Sequence, residues 1–458
     1  MDCDIAGYHV ESFNFFIDES LQMASIDVPA AKIRLPNGDA IEFSYSNAKL
    51  GNPLLDNSKP RLEVGNEPIF PAECRQRGIT YRSPFWVNIS LMVNGRCIDN
   101  VEVLLAEIPI LLRSNKCNLH GLSREQLIQK GEEGLERGGY FVVNGSEKVV
   151  RLLVANKRNF PLALRRRAFR DKGKLFSDCA VMMRSIRGNH LASMMTLHYV
   201  ENCSMILAIQ FRRELFYVPL MYILKCLVDW NDAMIAAQLT AGRPDDVFWE
   251  GCVRNMLMMA QEENIVSHGI ALRALGNRFR VALGDRIAPW EDDEQACHFL
   301  LHQCLAIHLE TNEQKFFCLT LMAHKLVGLV KNEVQAESLD NPQFQEASVT
   351  GHILSLICYE RMDNLLMNAR KKLEIVARKR PDTFNFSTKE FLKALGGHKT
   401  NELTRGLEYF LATGNLLTKT GVGLMQTSGF SVIAERINQL RFVSHFRGLI
   451  LWCRVQSL

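Results

Sequence analysis

Gly138-Gly139-Tyr140-Phe141-Val142-Val143-Asn144-Gly145-Ser146-Glu147-Lys148-Val149 is the stretch from which the fold can be read. Two glycines stop a preceding element, because a residue without Cβ enters the left-handed region at little cost. An apolar strand, Tyr140–Val143, follows. Asn144-Gly145 then supplies the two positive φ angles of a tight hairpin turn, and Lys148–Val150 returns as the second strand. The same device occurs twice upstream. Lys32–Leu35 and Ala40–Phe43 flank Pro36-Asn37-Gly38-Asp39, and Phe85–Val93 and Arg96–Leu105 flank Asn94-Gly95. Between these hairpins Ser123-x-x-Gln126 reads as a capping box, opening a helix that Gly138-Gly139 would close.

Beyond residue 190 the pattern changes. Ala192–Val200 and Met205–Arg212 read as one more strand pair around Glu201-Asn202. From Leu220 to about Val334 the periodicity is mostly helical, with breaks at Gly242-Arg243-Pro244 and Ala288-Pro289. Thr350–Arg380 is a strong amphipathic helix. Its apolar positions Ile353, Ile357, Leu365, Met367 and Leu373 fall mainly on one side, and Pro381 stops it. Ser387-x-x-Glu390 is a second capping box and Gly396-Gly397 a second stop. The fold class is therefore α+β, with boundaries expected near 165–175, 335–350 and 381–400.

Composition narrows the class. The chain has 458 residues, 47% apolar and 23% charged, as in ordinary globular proteins and unlike disordered or collagenous ones. Thirteen cysteines are scattered without a Cys-x-x-Cys pair, so reduced thiols in a reducing compartment are the expectation. The apolar runs Val101–Leu112 and Phe216–Val228 are interrupted by Glu107, Pro219 and Lys225, well short of a membrane span. Net charge is only +4, yet residues 148–187 hold twelve Lys and Arg against Asp171 and Asp178. Lys157-Arg158, Arg165-Arg166-Arg167, Arg170, Lys172 and Lys174 lead that segment. Arg370-Lys371-Lys372 and Arg378-Lys379-Arg380 close the long helix. Such cations suit phosphate, where each neutralised charge releases a counterion. A solvated loop and a favourable helix C-terminus explain them equally well.

Other constellations carry less. Cys297-His298-x3-His302-x-Cys304-x3-His308 places two histidines four apart, but no Glu follows His298, and core packing is the preferred reading. Thr420-Gly421-Val422-Gly423 begins like a dinucleotide loop, but Gln426 stands where the third glycine belongs. Glu291-Asp292-Asp293-Glu294 suits a solvated helix start better than a metal site. No pattern for nucleophilic catalysis or a phosphate loop is present.

The opening stretch resembles the signature of the second-largest subunit of multisubunit DNA-dependent RNA polymerases, the eukaryotic relatives of bacterial β. Pro71-Ala72-Glu73-Cys74-Arg75 with Tyr81-Arg82, Lys116-Cys117-Asn118-Leu119 with Gly121-Leu122-Ser123, and Arg158-Asn159-Phe160-Pro161 resemble the RNA polymerase I form. So does Ala412-Thr413-Gly414-Asn415-Leu416 through Lys419-Thr420-Gly421-Val422-Gly423-Leu424 to Ser444-His445-Phe446-Arg447. The polymerase II and III forms, or a non-catalytic nucleic-acid-binding or partner-binding fragment, are the alternatives.

The resemblance implies a protrusion from 1–165 and 335–395, a lobe inserted at 166–334, the start of a fork at 402–447, and a divergent tail at 448–458. It implies a nuclear, nucleolar subunit that works with the largest polymerase I subunit and other subunits, on DNA and RNA and away from membranes. Family members are more than twice as long, so the chain reads as truncated. The magnesium and zinc sites and the catalytic carboxylates would lie outside it, leaving this chain no cofactor and no catalytic residue of its own. Lys419, Arg441, His445, Arg447, Arg165, Arg166 and Arg167 are the expected nucleic-acid contacts. Of these, Arg441 and His445 can share a helical face, whereas Arg447 cannot join them. Leu449, Ile450, Leu451 and Trp452 are expected to be poorly packed.

Overall fold

The structure, a computed structural model, describes residues 5–35, 38–55, 67–188, 190–211, 214–288, 290–379, 386–396, 402–418, 424 and 426–450. It combines helices and sheets in two compact units. The described residues of 1–155, 347–418 and 424–458 form the first, and those of 156–346 form the second.

The first unit opens with α1 (Gly7–Phe15), a π-helical turn at Phe16–Ser20 and α2 (Leu21–Asp27). An antiparallel sheet follows in the order β1 (Ala31–Arg34), β2 (Ala40–Leu50), β3 (Arg82–Val93) and β4 (Arg96–Pro109), with α3 (Pro71–Arg77) between β2 and β3. Both upstream strand pairs are thus present, with Ile33 opposite Ile41 and Val93 opposite Arg96, while Asn37 of the first turn lies outside the described residues. α4 (Arg124–Gln129) has the full capping box of Ser123 and Gln126. It ends at Gln129, however, far short of Gly138-Gly139, and the chain turns through Gly131 at φ +80°. Then come β5 (Phe141–Val143), β6 (Ser146–Val150) and β7 (Leu152–Asn156). Asn144 and Gly145 join β5 to β6 at φ +48° and +75°, the twist a two-residue hairpin requires.

The second unit has a five-stranded antiparallel sheet of β8 (Leu162–Arg165), β9 (Phe176–Ile186), β10 (Ala192–Val200), β11 (Ser204–Phe211) and β12 (Glu214–Pro219). Six helices follow: α5 (Leu220–Leu227), α6 (Asp232–Thr240), α7 (Val247–Glu262), α8 (His268–Leu283), α9 (Asp293–Cys304) and α10 (Asn312–Val330). Their apolar faces and one face of the sheet enclose a core around Trp249, Phe316, Leu300 and Leu207, each fully buried. α8 and α9 meet at Gly276, where a Cβ would stand 1.8 Å from the Asp293 carbonyl oxygen.

After β13 (Gln345–Ser348) the chain rejoins the first unit through α11 (Thr350–Lys379), α12 (Thr388–Leu395), α13 (Glu402–Thr413), β14 (Ser431–Ile433), α14 (Gln439–Phe446) and β15 (Leu449–Ile450). α11 packs on α1, α2 and β1, and on α12 and α13. Ile353, Ile357, Leu365 and Leu373 are buried on it, as an amphipathic helix demands. Met367 is only half-buried, and Pro381, the expected stop, lies outside the described residues. Ser387 accepts from the Glu390 amide and caps α12. The expectation of an unpacked tail fails at Ile450. It is buried, and β15 pairs in parallel with Leu152 and Leu153 of β7. Leu449 stays exposed, and Leu451 and Trp452 lie outside the described residues.

His9 fastens the two ends of the first unit. Its ring is fully buried, with Nδ1 2.9 Å from Thr350 Oγ1 and Nε2 3.2 Å from the Phe446 carbonyl. Burial lowers its pKa below 6.5, so the unfolded chain takes up the proton first as pH falls. This contribution to stability is complete above pH 6.5 and is lost as pH drops through the folded value. His9→Gln should therefore flatten the acid limb of the stability profile below about pH 6.5, read by urea denaturation at a series of pH values. An unchanged limb would contradict the assignment.

Candidate nucleic-acid interface

The β5–β6 hairpin carries Tyr140 and Glu147 into a charged cluster. Arg75 of α3 donates through Nε to Glu147 Oε1 at 2.8 Å. It also forks onto Glu132, through Nη2 at 2.7 Å and Nη1 at 3.1 Å. From the far end of the chain, Arg436 donates through Nε to Glu147 Oε2 at 2.7 Å and through Nη1 to Glu133 at 3.2 Å. The Tyr140 hydroxyl donates to Glu136 at 2.9 Å and accepts from both guanidinium groups, at 3.2 Å from Arg75 and 3.1 Å from Arg436. Planar forks can satisfy several carboxylates at once, which ammonium groups do less well. Burial raises the Glu132 carboxyl to about 7, with Arg75 opposing the shift and Glu136 adding to it.

Arg436 also orients the helix that comes next. Its guanidinium lies 4.3 Å from the Phe442 ring centroid on α14, and the Asn438 side chain caps that helix by accepting from the Arg441 amide at 2.7 Å. Arg441 and His445 sit one turn apart and approach the same carboxylate. Arg441 Nε is 3.0 Å from Glu435 Oε2 and His445 Nε2 is 4.0 Å from it. Burial, with Arg441 and Arg151 nearby, lowers the His445 pKa despite Glu435. Arg447 follows at the helix end, exposed, with its charge felt by the Tyr8 hydroxyl. The C-terminal end of a helix favours a cation there. Lys419, together with Gly421-Val422-Gly423, lies outside the described residues.

In the second unit the basic segment forms the end of β8 and a 3-10 turn, with Arg165, Arg167, Arg170, Lys172 and Lys174 exposed. Arg165 ends β8, and its Nη2 donates to the Leu329 carbonyl at 3.1 Å and to Asn332 Oδ1 at 2.8 Å, satisfying the end of α10. The Arg166 amide donates to the Asp178 carbonyl at 2.8 Å, and Arg167 is exposed at the start of a 3-10 turn, Arg167–Lys172. Arg158 pairs with Glu346 at 2.9 Å, and Lys172 Nζ lies 3.0 Å from His198 Nε2 between the rings of Phe169 and Tyr217. In the long helix Arg370 is nearly buried and paired with Glu374 at 2.9 Å.

The weaker constellations resolve into structural roles. Cys297 and Cys304 are buried in the core, His302 lies beside Arg187, and His308 is 2.7 Å from Ser185 Oγ. Asp293 and Glu294 pair with Arg280 and Arg273 at the head of α9. Among the described residues no group of three or more His, Cys, Asp or Glu could hold a metal ion, and no helix is long and apolar enough to cross a membrane. Sequence reading missed Arg75, Glu132, Glu147 and Arg436 as one cluster. The only signal was that Arg75 and Glu147 both fell within family-like stretches.

Comparison with known proteins agrees with the sequence resemblance. A family model described as RNA polymerase beta subunit matches residues 4–396. A Caenorhabditis elegans protein named DNA-directed RNA polymerase I subunit RPA2 homolog is 55% identical over 449 residues, covering 98% of this chain and 40% of that protein. The human DNA-directed RNA polymerase I subunit RPA2 is 36% identical over 439 residues, covering 96% and 38%. The Drosophila melanogaster subunit of the same name is 31% identical, covering 97% and 39%. The chain thus spans about 40% of the length of the first of these relatives.

Proposed function

The chain belongs to the RNA polymerase beta subunit family, and on that premise we propose that it serves as part of the second-largest subunit of nuclear RNA polymerase I, in the nucleolus. The observation that carries this reading is the 55% identity, along nearly the whole chain, to a protein named as a polymerase I subunit homolog. In this reading the first unit is the protrusion together with the start of the fork, and the second unit is the lobe. The division of the chain into a discontinuous unit and an inserted one supports the assignment. Its partners are the largest subunit and the other polymerase subunits, with DNA and RNA in the assembled enzyme. Nucleotidyl transfer belongs to the assembly, through metal ions held elsewhere; this chain supplies cleft wall and scaffold.

The surface of the first unit suits that role. Ile437 and Leu440 are about four-fifths exposed beside Arg441, as expected of a face that closes against a larger body. Arg447 is the proposed phosphate contact, while Arg441 divides its charge with Glu435 and Arg165 is engaged by the Leu329 carbonyl and the Asn332 side chain. Affinity purification of the tagged chain should recover the largest polymerase I subunit. Recovery of polymerase II or III subunits instead, or of no polymerase subunit, would refute the reading. Arg447→Ala should reduce the salt slope of nucleic-acid binding by about one, measured on the tagged chain by filter binding. An unchanged slope would remove Arg447 from the interface.

A further inference from the structure

The second unit contains a cavity of about 320 Å³ for which the proposed function gives no use. It opens at the end of the five-stranded sheet, between the β10–β11 turn, the start of α5 and the C-terminal half of α7. Four methionines wall it: Met205, Met221, Met256 and Met259. The first three are nearly inaccessible, so they form its floor. Leu175 stands at the lip, half exposed, and Lys174 is the cation on the rim. Unbranched thioether side chains adapt to the shape of an inserted group, which is why methionine lines surfaces that accept varied apolar anchors. The volume is at the small end for ligand pockets, enough for one large side chain rather than an extended cofactor.

The charge around the opening selects the remainder of the ligand. Lys174 lines the opening, and along the chain Arg165, Arg166, Arg167, Arg170 and Lys172 precede it, with Asp171, Asp178 and Glu201 as the nearby acids in sequence or on the β10–β11 turn. Arg170 and Asp178 are 3.7 Å apart, and six cations against three acids leave this stretch with a positive surplus. A nucleic-acid strand could use the cations but has no need of an apolar pit walled by methionine. A peptide with carboxylates on either side of one apolar residue uses both features. We propose that this cavity docks an extended acidic segment of another protein, seating one aromatic or long aliphatic side chain among the methionines with its carboxylates over Lys174 and the segment before it.

The test uses the full chain, labelled at its methionine methyl groups, and a short fluorescent peptide rich in Asp and Glu with one central Phe. Saturable binding should shift the methyl signals of Met205, Met221, Met256 and Met259. Changing the peptide's Phe to Ser should weaken binding at least about tenfold, and Lys174→Glu should do the same. Met259→Trp fills the cavity and should abolish binding while the variant melts with the parent protein. The proposal is overturned by an absence of saturable binding, by indifference to the Phe or to Lys174, or by retained binding in Met259→Trp. It is also overturned if single-stranded RNA of similar length shifts the same methyl groups and displaces the peptide.

Discussion

Gly276→Ala is expected to destabilise the second unit by roughly 3 kcal/mol, at the upper end for overpacking. The added methyl group would stand 1.8 Å from the Asp293 carbonyl oxygen and 2.6 Å from its carbon. Backbone cannot rotate aside as a flexible side chain can, so α8 and α9 must separate along their contact. Gly269, on the same helix, is the control, since a Cβ there meets nothing within 4 Å. Gly269→Ala should be neutral or stabilising by up to about 1 kcal/mol, from helix propensity alone. Thermal denaturation followed through the buried Trp249 reads both. Melting of Gly276→Ala together with the parent protein would show that the two helices can separate at little cost.

Arg75→Leu should have a comparable effect on the first unit, with a pH signature that Gly276→Ala lacks. Removing the guanidinium leaves Glu132, whose side chain is 2% exposed, and Glu147 without their shared partner. Breaking one side of such a buried pair costs about 3 kcal/mol at neutral or alkaline pH. The Glu132 carboxyl is raised to about 7 from an ordinary 4.5, so the folded state holds the extra proton between those values. Its share of stability therefore rises as pH falls from about 7 toward 4.5. Without Arg75 the pull toward protonation grows, and acid should restore more of the loss. The difference between variant and parent, measured by urea denaturation from about pH 8 to pH 5, should shrink on acidification. Contributions common to both, including His9, cancel in that difference. A loss of equal size at both ends would mean that Glu132 does not titrate with the network.

The sequence was most legible where structure is local. Asn94-Gly95 and Asn144-Gly145 specify their hairpins by themselves, because the required φ angles belong to the turn residues. The stripe of α11 is a property of spacing, and its burial followed. The helix expected to run from Ser123 to Gly138 did not, because Glu132 and Glu136 leave helical register to reach Arg75 and Tyr140. No local window of sequence contains both Glu132 and Arg75, which are 57 residues apart. The same holds for the candidate interface. Arg441 and His445 do face one carboxylate, as helical spacing requires, but Glu435 supplies it from outside the helix. Arg165 looked like one of three equivalent cations and proved to hold the end of α10. A run of like charges gives composition, while the partner that occupies each charge comes from elsewhere in the chain.

The fastening of the β5–β6 hairpin by Arg436 bears on how the molecule is made. Glu147 and its partner are 289 residues apart. A chain emerging from the ribosome presents Tyr140 and Glu147 long before Arg436 exists. During that interval Arg75 alone must hold Glu132 and Glu147. The sheet and helices of residues 156–346, by contrast, are contiguous and can close upon themselves as soon as they emerge. The order of synthesis and the order of completion are therefore reversed: the unit begun first is finished last, and its closing contacts wait for α14 and β15.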